Sequence, residues 1–260
     1  MRKTTIIFFF STLFTTTSFA QQKQDSTEFL NQQRLVNQSV KAPVFKIAPI
    51  IIPAVLIGYG FAAVHNNGAL RQLDVSTKDE LQEDHPLFAA HVDDYVQFAP
   101  ALAVYGLNLA GIKGKHNLAD ATFLYATSAA IMGLSTHFVK QAEHRLRPNG
   151  SAYNSFPSGH TASAFAAAEF LKQEYKDVSP WYGYAGYFVA TATGTLRMYN
   201  NKHWFSDVVA GAGFGIASTK ISYFLYPYVR NLISKKKNRN FTLAPFHQNG
   251  ANGLLLYGQF

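Results

Sequence analysis

Three short polar stretches in otherwise apolar sequence carry the residues whose types and spacing could do chemistry. They are K-Q-A-E-H-R-L-R-P (140–148), F-P-S-G-H (156–160) and R-M-Y-N-N-K-H-W-F-S-D (197–207). Together they supply cations, histidines, a carboxylate and a Ser-Gly turn. This inventory suits the binding of a phosphate-like oxyanion and its transfer to a histidine.

Cations are the first requirement for binding a phosphate, because a phosphoryl group in transfer spreads negative charge over its oxygens. Lys140 and Arg147 lie two helical turns apart if the helix between them persists, and Pro148 then forces the chain off helical geometry. Arg147 and Arg197 offer planar forks that suit phosphate oxygens. Any one of these cations taken alone could instead be a surface charge paired with a nearby glutamate.

The stretch Ser158-Gly159-His160 follows a proline and opens a predicted helix. A helix N-terminus presents free N–H groups to an anion, and Gly159 lets the backbone approach it closely. Ser158 either donates a hydroxyl hydrogen bond or caps the helix. His160 stands where it could protonate a leaving oxygen.

His203 and Asp207 are four residues apart and share a helix face if the helix begins this early. A carboxylate bonded to one ring nitrogen fixes the tautomer and leaves the other nitrogen to attack. The alternative is a His-Asp pair at a helix start that has no chemical role.

The pattern K-x6-RP, then PSGH, then R-x5-H-x3-D resembles the type 2 phosphatidic acid phosphatase (PAP2) superfamily. That group includes lipid phosphatases, bacterial non-specific acid phosphatases and vanadium haloperoxidases. The three motifs stand in family order and at family spacing within residues 140–207. In one departure, Leu196 precedes Arg197 where the family usually has serine, which removes one hydrogen bond near the phosphate.

The resemblance implies a role for each matching residue. His203 would attack phosphorus and form a phosphohistidine, Asp207 would orient it, and His160 would protonate the leaving group and later help activate water. The phosphate oxygens would be held by Lys140, Arg147, Ser158, Gly159 and Arg197. No metal and no cofactor are implied, and the sequence shows no compact cluster of carboxylate, Cys or His ligands.

The elements that must position these residues are helices. Apolar residues at helical spacing predict an all-α bundle of about six core helices, and the resemblance implies that this bundle is PAP2/haloperoxidase-like. Residues 66–86 are predicted to form a surface loop with a short helix, and Gly211, Gly213 and Gly215 to allow close helix contact. Short runs around Asn249-Gly250 and Asn252-Gly253 predict a β-hairpin-like tail. The predicted helices cover residues 46–64, 95–110, 118–139, 160–175, 181–196 and 203–226.

We expect four segments along the chain. Residues 1–20 have a basic start, an apolar centre and small residues before Ala20, as in a secretory signal peptide, although an uncleaved anchor would look similar. Residues 21–45 form a polar lead-in. Residues 46–228 form the helical catalytic domain, and residues 229–260 a basic segment and tail.

Composition limits the function classes. The chain has 260 residues, 48% of them apolar and 15% charged, with a formal net charge of +8 and no cysteine. Lack of cysteine excludes disulfides and thiol catalysis. The cations do not form a basic helix with interleaved aromatics, so nucleic acid is the weakest partner. A phosphorylated lipid or small phosphate ester, together with a membrane, fits better, and the oligomeric state stays open.

The sequence therefore predicts a phosphatase acting on phosphate monoesters or pyrophosphates, with a lipid as substrate. The alternatives are a vanadate-dependent haloperoxidase and a phospholipid-binding membrane protein with an inactive site. We expect an exported, membrane-embedded or membrane-associated protein whose site faces the periplasm, with a soluble periplasmic protein as the alternative. Basic turns at residues 113–116 and 172–176 favour this orientation. A cleaved signal followed by three spans before Lys140 opposes it.

Overall fold

The computed structural model describes residues 48–66, 68–237, 241–248 and 251–258. This part of the chain is an all-α bundle with one two-stranded hairpin, so the predicted fold class is confirmed. The predicted signal peptide and the whole of the predicted lead-in lie outside the described residues. The elements are α1 (Ala48–His65), α2 (Ala69–Asp84), α3 (Asp93–Val96), α4 (Ala99–Leu109), α5 (Leu118–Glu143), α6 (Gly159–Tyr175), α7 (Pro180–Tyr199), α8 (Phe205–Lys237), β1 (Phe241–Gln248) and β2 (Ala251–Gly258).

Helix α6 is the centre of the bundle, because it is buried on nearly all sides. Its alanines let neighbouring helices approach closely, and its large side chains fill the space between them. Phe170 and Tyr175 pack with Val104 of α4 and Ala121 of α5. Burial of such apolar surface is the main force that holds the helices together.

Helix α8 packs against both α6 and α1 through glycines. A Cβ at Gly211 would lie 2.6 Å from the carbonyl oxygen of Ser158, and one at Gly213 would lie 2.8 Å from that of Pro53. Gly215 similarly faces the backbone of Ala162. The close helix contact predicted from these glycines is confirmed.

Residues 66–86, predicted to form a surface loop with a short helix, instead form mostly one helix of 16 residues, α2. The one residue that α2 buries fully is Asp74, whereas its apolar residues Leu70, Val75 and Leu81 are half-buried. The predicted helix over residues 95–110 is divided into α3 and α4 near Pro100, which lacks an N–H to continue a helix.

Two helix ends near the site also differ from the prediction. Helix α5 ends at Glu143, where His144 adopts a left-handed conformation with φ 42°. Arg147 therefore lies in a loop, and the two-turn helical relation to Lys140 is wrong. Helix α8 begins at Phe205, so His203 precedes it instead of lying on its face.

At the C-terminal end, α8 continues to Lys237, past the boundary proposed between residues 228 and 229. Strands β1 and β2 then pair antiparallel, with Phe241 opposite Gly258 and Gln248 opposite Ala251. Asn252 and Gly253 lie within β2. Asn249 and Gly250 lie outside the described residues.

Large apolar side chains cover much of the outer surface of the bundle. By length and composition, Ala48–His65 and Phe205–Leu232 could each cross a membrane. Only 17% of the first is buried, which is unlike the core helix of a water-soluble protein. Further exposed apolar residues are Leu102, Leu109, Leu134, Phe138, Trp181 and Phe188.

Candidate active site

All three motif stretches meet at one end of the bundle, around the N-terminus of α6. Lys140 lies in the last turn of α5 and Arg197 in the last turn of α7. Asp207 lies in the first turn of α8, and its backbone oxygen accepts a hydrogen bond of 3.0 Å from the N–H of Ser158, the residue that caps α6. The helix ends thus bring residues 67 positions apart in sequence into one site.

His203 and Asp207 form the expected pair, but a loose one. Nδ1 of His203 lies 3.5 Å from Oδ2 of Asp207, too far for a well-formed hydrogen bond, and makes no other bond within the described residues. The His203 side chain is buried, and burial lowers its pKa to about 4. The imidazole is therefore neutral near pH 7.

The carboxylate of Asp207 is held by donors that the motifs did not reveal. Oδ1 accepts a hydrogen bond of 2.6 Å from Arg145, and Oδ2 accepts one of 2.9 Å from the N–H of Trp204. The hydroxyl of Ser155 also donates to Oδ2. A buried carboxylate with three donors stays ionised and fixed in place.

Arg145 links this carboxylate to a second buried one. Its other terminal nitrogen donates to Asp74 of α2 at 2.6 Å, and both carboxylates are fully buried. Asp74 also accepts from the N–H and the hydroxyl of Ser206, at 2.8 and 2.7 Å. The indole of Trp204 lies under the Arg145 guanidinium, 5.4 Å away. These hydrogen bonds connect α2 to the start of α8.

Lys140 and Arg147 converge on one residue of the loop before α6. Lys140 donates to the backbone oxygen of Asn154 at 2.6 Å, and Nε of Arg147 donates to its side-chain oxygen at 2.9 Å. Among the described residues, none accepts from the terminal nitrogens of Arg147, which are thus available to an anion. Burial, together with Arg147 and Arg197, lowers the pKa of Lys140 to about 8.

Two acidic residues of α3 reach the other motif residues. Arg197 donates to Asp93 at 2.6 Å, and Nε2 of His160 lies 2.7 Å from Asp94. A metal ion could be held by three side chains here, because one possible ligand atom from each lies within 4.8 Å of the others. They are Asp93, Asp94 and His160. The absence of a compact ligand cluster, inferred from sequence, is therefore wrong. Arg197 already places a positive charge on this cluster.

The start of α6 has the features of an anion site. Ser158 caps the helix, with its hydroxyl oxygen accepting from the N–H and hydroxyl of Thr161. No acceptor among the described residues faces the N–H groups of Gly159 and His160, as is usual for a helix start. Of the two roles weighed for Ser158, capping is the one seen in this structure.

Leu196, the departure from the family pattern, lines an apolar groove of about 460 Å³ on α7. Phe88, from the loop after α2, closes the groove on one side, and its ring lies 5.3 Å from that of Tyr199. An apolar side chain at this position contributes to the groove surface.

Sequence reasoning missed Asp74, Asp93, Asp94, Arg145 and Ser155. Arg145 and Ser155 lie inside or beside the polar stretches, so their position was a usable signal. The three acids stand 66 to 132 residues from the motif-region residues they contact, and spacing alone carries no information about such pairs.

Taken together, the site joins a buried neutral histidine, a second histidine with a carboxylate, and cations around a helix N-terminus.

Part of the chain matches known proteins in sequence. Residues 121–231 match the family model of the PAP2 superfamily. A lipid A 1-phosphatase of Porphyromonas gingivalis is 41% identical over 139 residues, which are 53% of this chain and 31% of that protein. The chain thus spans less than a third of the length of this relative.

Two solved structures are similar at lower identity. LpxE of Aquifex aeolicus is 18% identical with a TM-score of 0.44, over 61% of this chain and 98% of that one. A transmembrane PAP2-type phosphatidylglycerolphosphate phosphatase of Bacillus subtilis is 19% identical with a TM-score of 0.45, over 73% and 98%. The three motif stretches fall inside residues 121–231, the segment that matches the PAP2 superfamily model.

Proposed function

We propose that this chain is a metal-independent phosphatase that hydrolyses a phosphate monoester or pyrophosphate of a lipid through a phosphohistidine. One observation carries the proposal: a buried neutral histidine, His203, stands at the same bundle end as His160 and three cations. Positioned positive charge and a pre-oriented nucleophile are what phosphoryl transfer needs.

In the first step, Nε2 of His203 attacks phosphorus. A phosphorus–nitrogen bond forms while the bond between phosphorus and the leaving oxygen breaks, and His160 gives its proton to that oxygen. The modified imidazole ring gains positive charge, which the buried carboxylate of Asp207 stabilises. Water then attacks phosphorus and gives a proton to His160, and His203 is released neutral.

The cradle for the phosphate oxygens consists of cations and helix-start donors. Arg147 and Arg197 supply guanidinium groups, and Lys140 supplies an ammonium with donors beyond the one used by Asn154. The free N–H groups at Gly159 and His160 add the positive end of the α6 dipole. Ser158 holds this turn in place.

A lipid substrate is supported by the surface around the site. Helix α7, whose last turn carries Arg197, also lines an apolar groove, and exposed apolar residues cover α1 and α7. Lipid A, phosphatidylglycerol phosphate, phosphatidic acid and undecaprenyl pyrophosphate all join a phosphate to apolar chains. The P. gingivalis relative makes lipid A 1-phosphate the first to test.

For location, we propose an exported, membrane-associated protein whose site faces the periplasm. The loop that carries Lys113 and Lys115 is bonded to Glu174 at the C-terminal end of α6, the end opposite the site. Basic loops favour the cytoplasmic side. The His65–Glu143 ion pair of 3.1 Å places the end of α1 at the site. A site that faces the periplasm still conflicts with a cleaved signal peptide followed by three membrane spans before Lys140.

Replacement of the nucleophile tests the proposed reaction. We expect His203→Ala to lower phosphate release by about 10³-fold or more, because no other group can form the covalent intermediate. Phosphate release by the purified protein should be measured on lipid, isoprenoid and soluble phosphates. His137→Ala, an exposed histidine on α5 outside the site, is the matched control and should retain full activity.

Turnover by the His203→Ala protein at the unmodified rate would overturn the nucleophile assignment. Failure of the unmodified protein to release phosphate from every member of the panel would instead favour a phospholipid-binding protein with an inactive site.

A further inference from the structure

Helix α3 lies outside the PAP2 segment, yet it contacts two of its motif residues. Asp94 lies 2.7 Å from Nε2 of His160, and Asp93 lies 2.6 Å from Arg197. The site therefore holds two His-Asp pairs, His203–Asp207 and His160–Asp94. Asp94 is not part of the three motifs. In the proposed reaction Asp207 stabilises the nucleophile His203, which raises the question of what Asp94 does beside His160.

We propose that Asp94 is a positioning residue for His160 that keeps the imidazole protonated and directs its Nδ1 proton to the leaving oxygen. The inference rests on the proposed phosphatase function. A carboxylate bonded to Nε2 leaves Nδ1 as the nitrogen that can donate, and it stabilises the imidazolium form. His160 gives up that proton as the bond between phosphorus and the leaving oxygen breaks.

The need for such a carboxylate follows from the charges around His160. Burial and the nearby Arg197 both lower the pKa of His160, so the acid form is disfavoured. Asp94 and Asp93 act in the opposite direction, Asp94 by both a hydrogen bond and its charge. Asp94 also faces two further charged or titratable groups: His91 lies 3.8 Å from its other oxygen, and Arg197 lies 3.8 Å from the oxygen that His160 contacts.

Helix α3 is held rigidly enough for positioning. Asn200, at the end of α7, donates to the backbone oxygen of Ala90 at 2.7 Å and accepts from its N–H at 2.9 Å. It also donates to Asp93 at 3.2 Å. These bonds fix the loop before α3 to the helix that carries Arg197, so Asp94 has a defined place over His160.

The test compares two phosphate esters that differ in their need for an acid. An alkyl monophosphate has a poor leaving group that must be protonated, whereas 4-nitrophenyl phosphate releases a stable anion. We expect Asp94→Asn to lower kcat/KM for the alkyl ester by about 10-fold to 100-fold, part of the 10²–10⁴ that a general acid supplies. For the nitrophenyl ester we expect a change below about 3-fold. kcat/KM covers only the steps up to loss of the leaving group.

The pH profile supplies a second readout. Without the carboxylate, His160 loses its proton at lower pH, so the alkaline limb of kcat/KM for the alkyl ester should move to lower pH. Asp94→Glu should restore part of the rate. Asp79→Asn, an exposed acid on α2, is the control and should behave as the unmodified protein.

A double variant separates positioning from a structural effect. Asp94→Asn added to His160→Ala should cause no further loss, because the group that Asp94 positions is gone. Equal losses for both esters, an unmoved pH limb, or additive losses in the double variant would each overturn the proposal. Failure of the unmodified protein to cleave either ester would instead overturn the proposed function.

Discussion

Most charged side chains of this site stand beside an opposite charge contributed by a distant part of the chain. Asp207 is paired with Arg145, and Arg197 with Asp93. Such pairing is what allows ions to be buried without a large penalty. Lys140 and Arg147 differ, because their described partners are neutral oxygens of Asn154. The uncompensated positive charge of the site is therefore concentrated on these two residues, where an anion can use it.

The two histidines predict the pH dependence of the reaction. In the reaction that we propose, His203 must be neutral to attack, and burial lowers its pKa to about 4. His160 must be protonated to act as an acid, and burial and Arg197 hold its pKa below the ordinary 6.5. We therefore expect kcat/KM for an alkyl phosphate to rise above about pH 4 and to fall before pH 6.5. Initial rates from pH 3.5 to 9 check this, and a maximum above pH 7.5 would contradict it.

At the level of elements, the site depends on how closely α8 approaches α6. Gly211 and Gly215 place the backbone of α8 directly against Ser158 and Ala162. The first of these contacts lies under the helix start that would bind phosphate. Helix packing and site geometry are therefore the same structural feature on this face.

We expect Gly215→Ala to destabilise the protein by about 1–3 kcal/mol, because the added Cβ would overlap the backbone of Ala162 and lie 2.8 Å from the N–H nitrogen of Ala166. Thermal unfolding of the purified protein measures the effect as a lower Tm. Gly133→Ala on α5 is the matched control, since a Cβ there meets no atom within 4 Å. It should leave stability unchanged or raise it by about 0.5–1 kcal/mol. Equal Tm values for the two variants would contradict this account of the α6–α8 contact.

For the molecule as a whole, the sequence predicted the structure correctly where the local pattern of residues determines it. Helical spacing predicted the central helix α6, and motif spacing predicted the residues that meet at its N-terminus. Helix ends were less predictable, since His144 ends α5 through a left-handed backbone that spacing does not reveal. Asp74 was missed because α2 buries a carboxylate where an amphipathic helix would bury apolar residues.

The PAP2 segment is not electrostatically complete by itself. Arg145 and Arg197 both depend on acids that precede residue 99. We expect a chain lacking residues 1–98 to release no phosphate, because two buried guanidinium groups lose partners. A chain ending at Lys237, which lacks the hairpin, is the control and should stay active. Phosphate release by the first truncated chain at the full-length rate would show that the upstream acids are dispensable.

The hydrogen bond from the N–H of Ser158 to the backbone oxygen of Asp207 has a consequence for how variants of this site behave. It joins the two parts of the site through main-chain atoms, which no side-chain substitution removes. Ser158→Ala and Asp207→Asn therefore change local chemistry while the spacing between anion site and nucleophile persists. That spacing is set when the backbone folds, so its entropic cost falls on folding and not on each catalytic cycle.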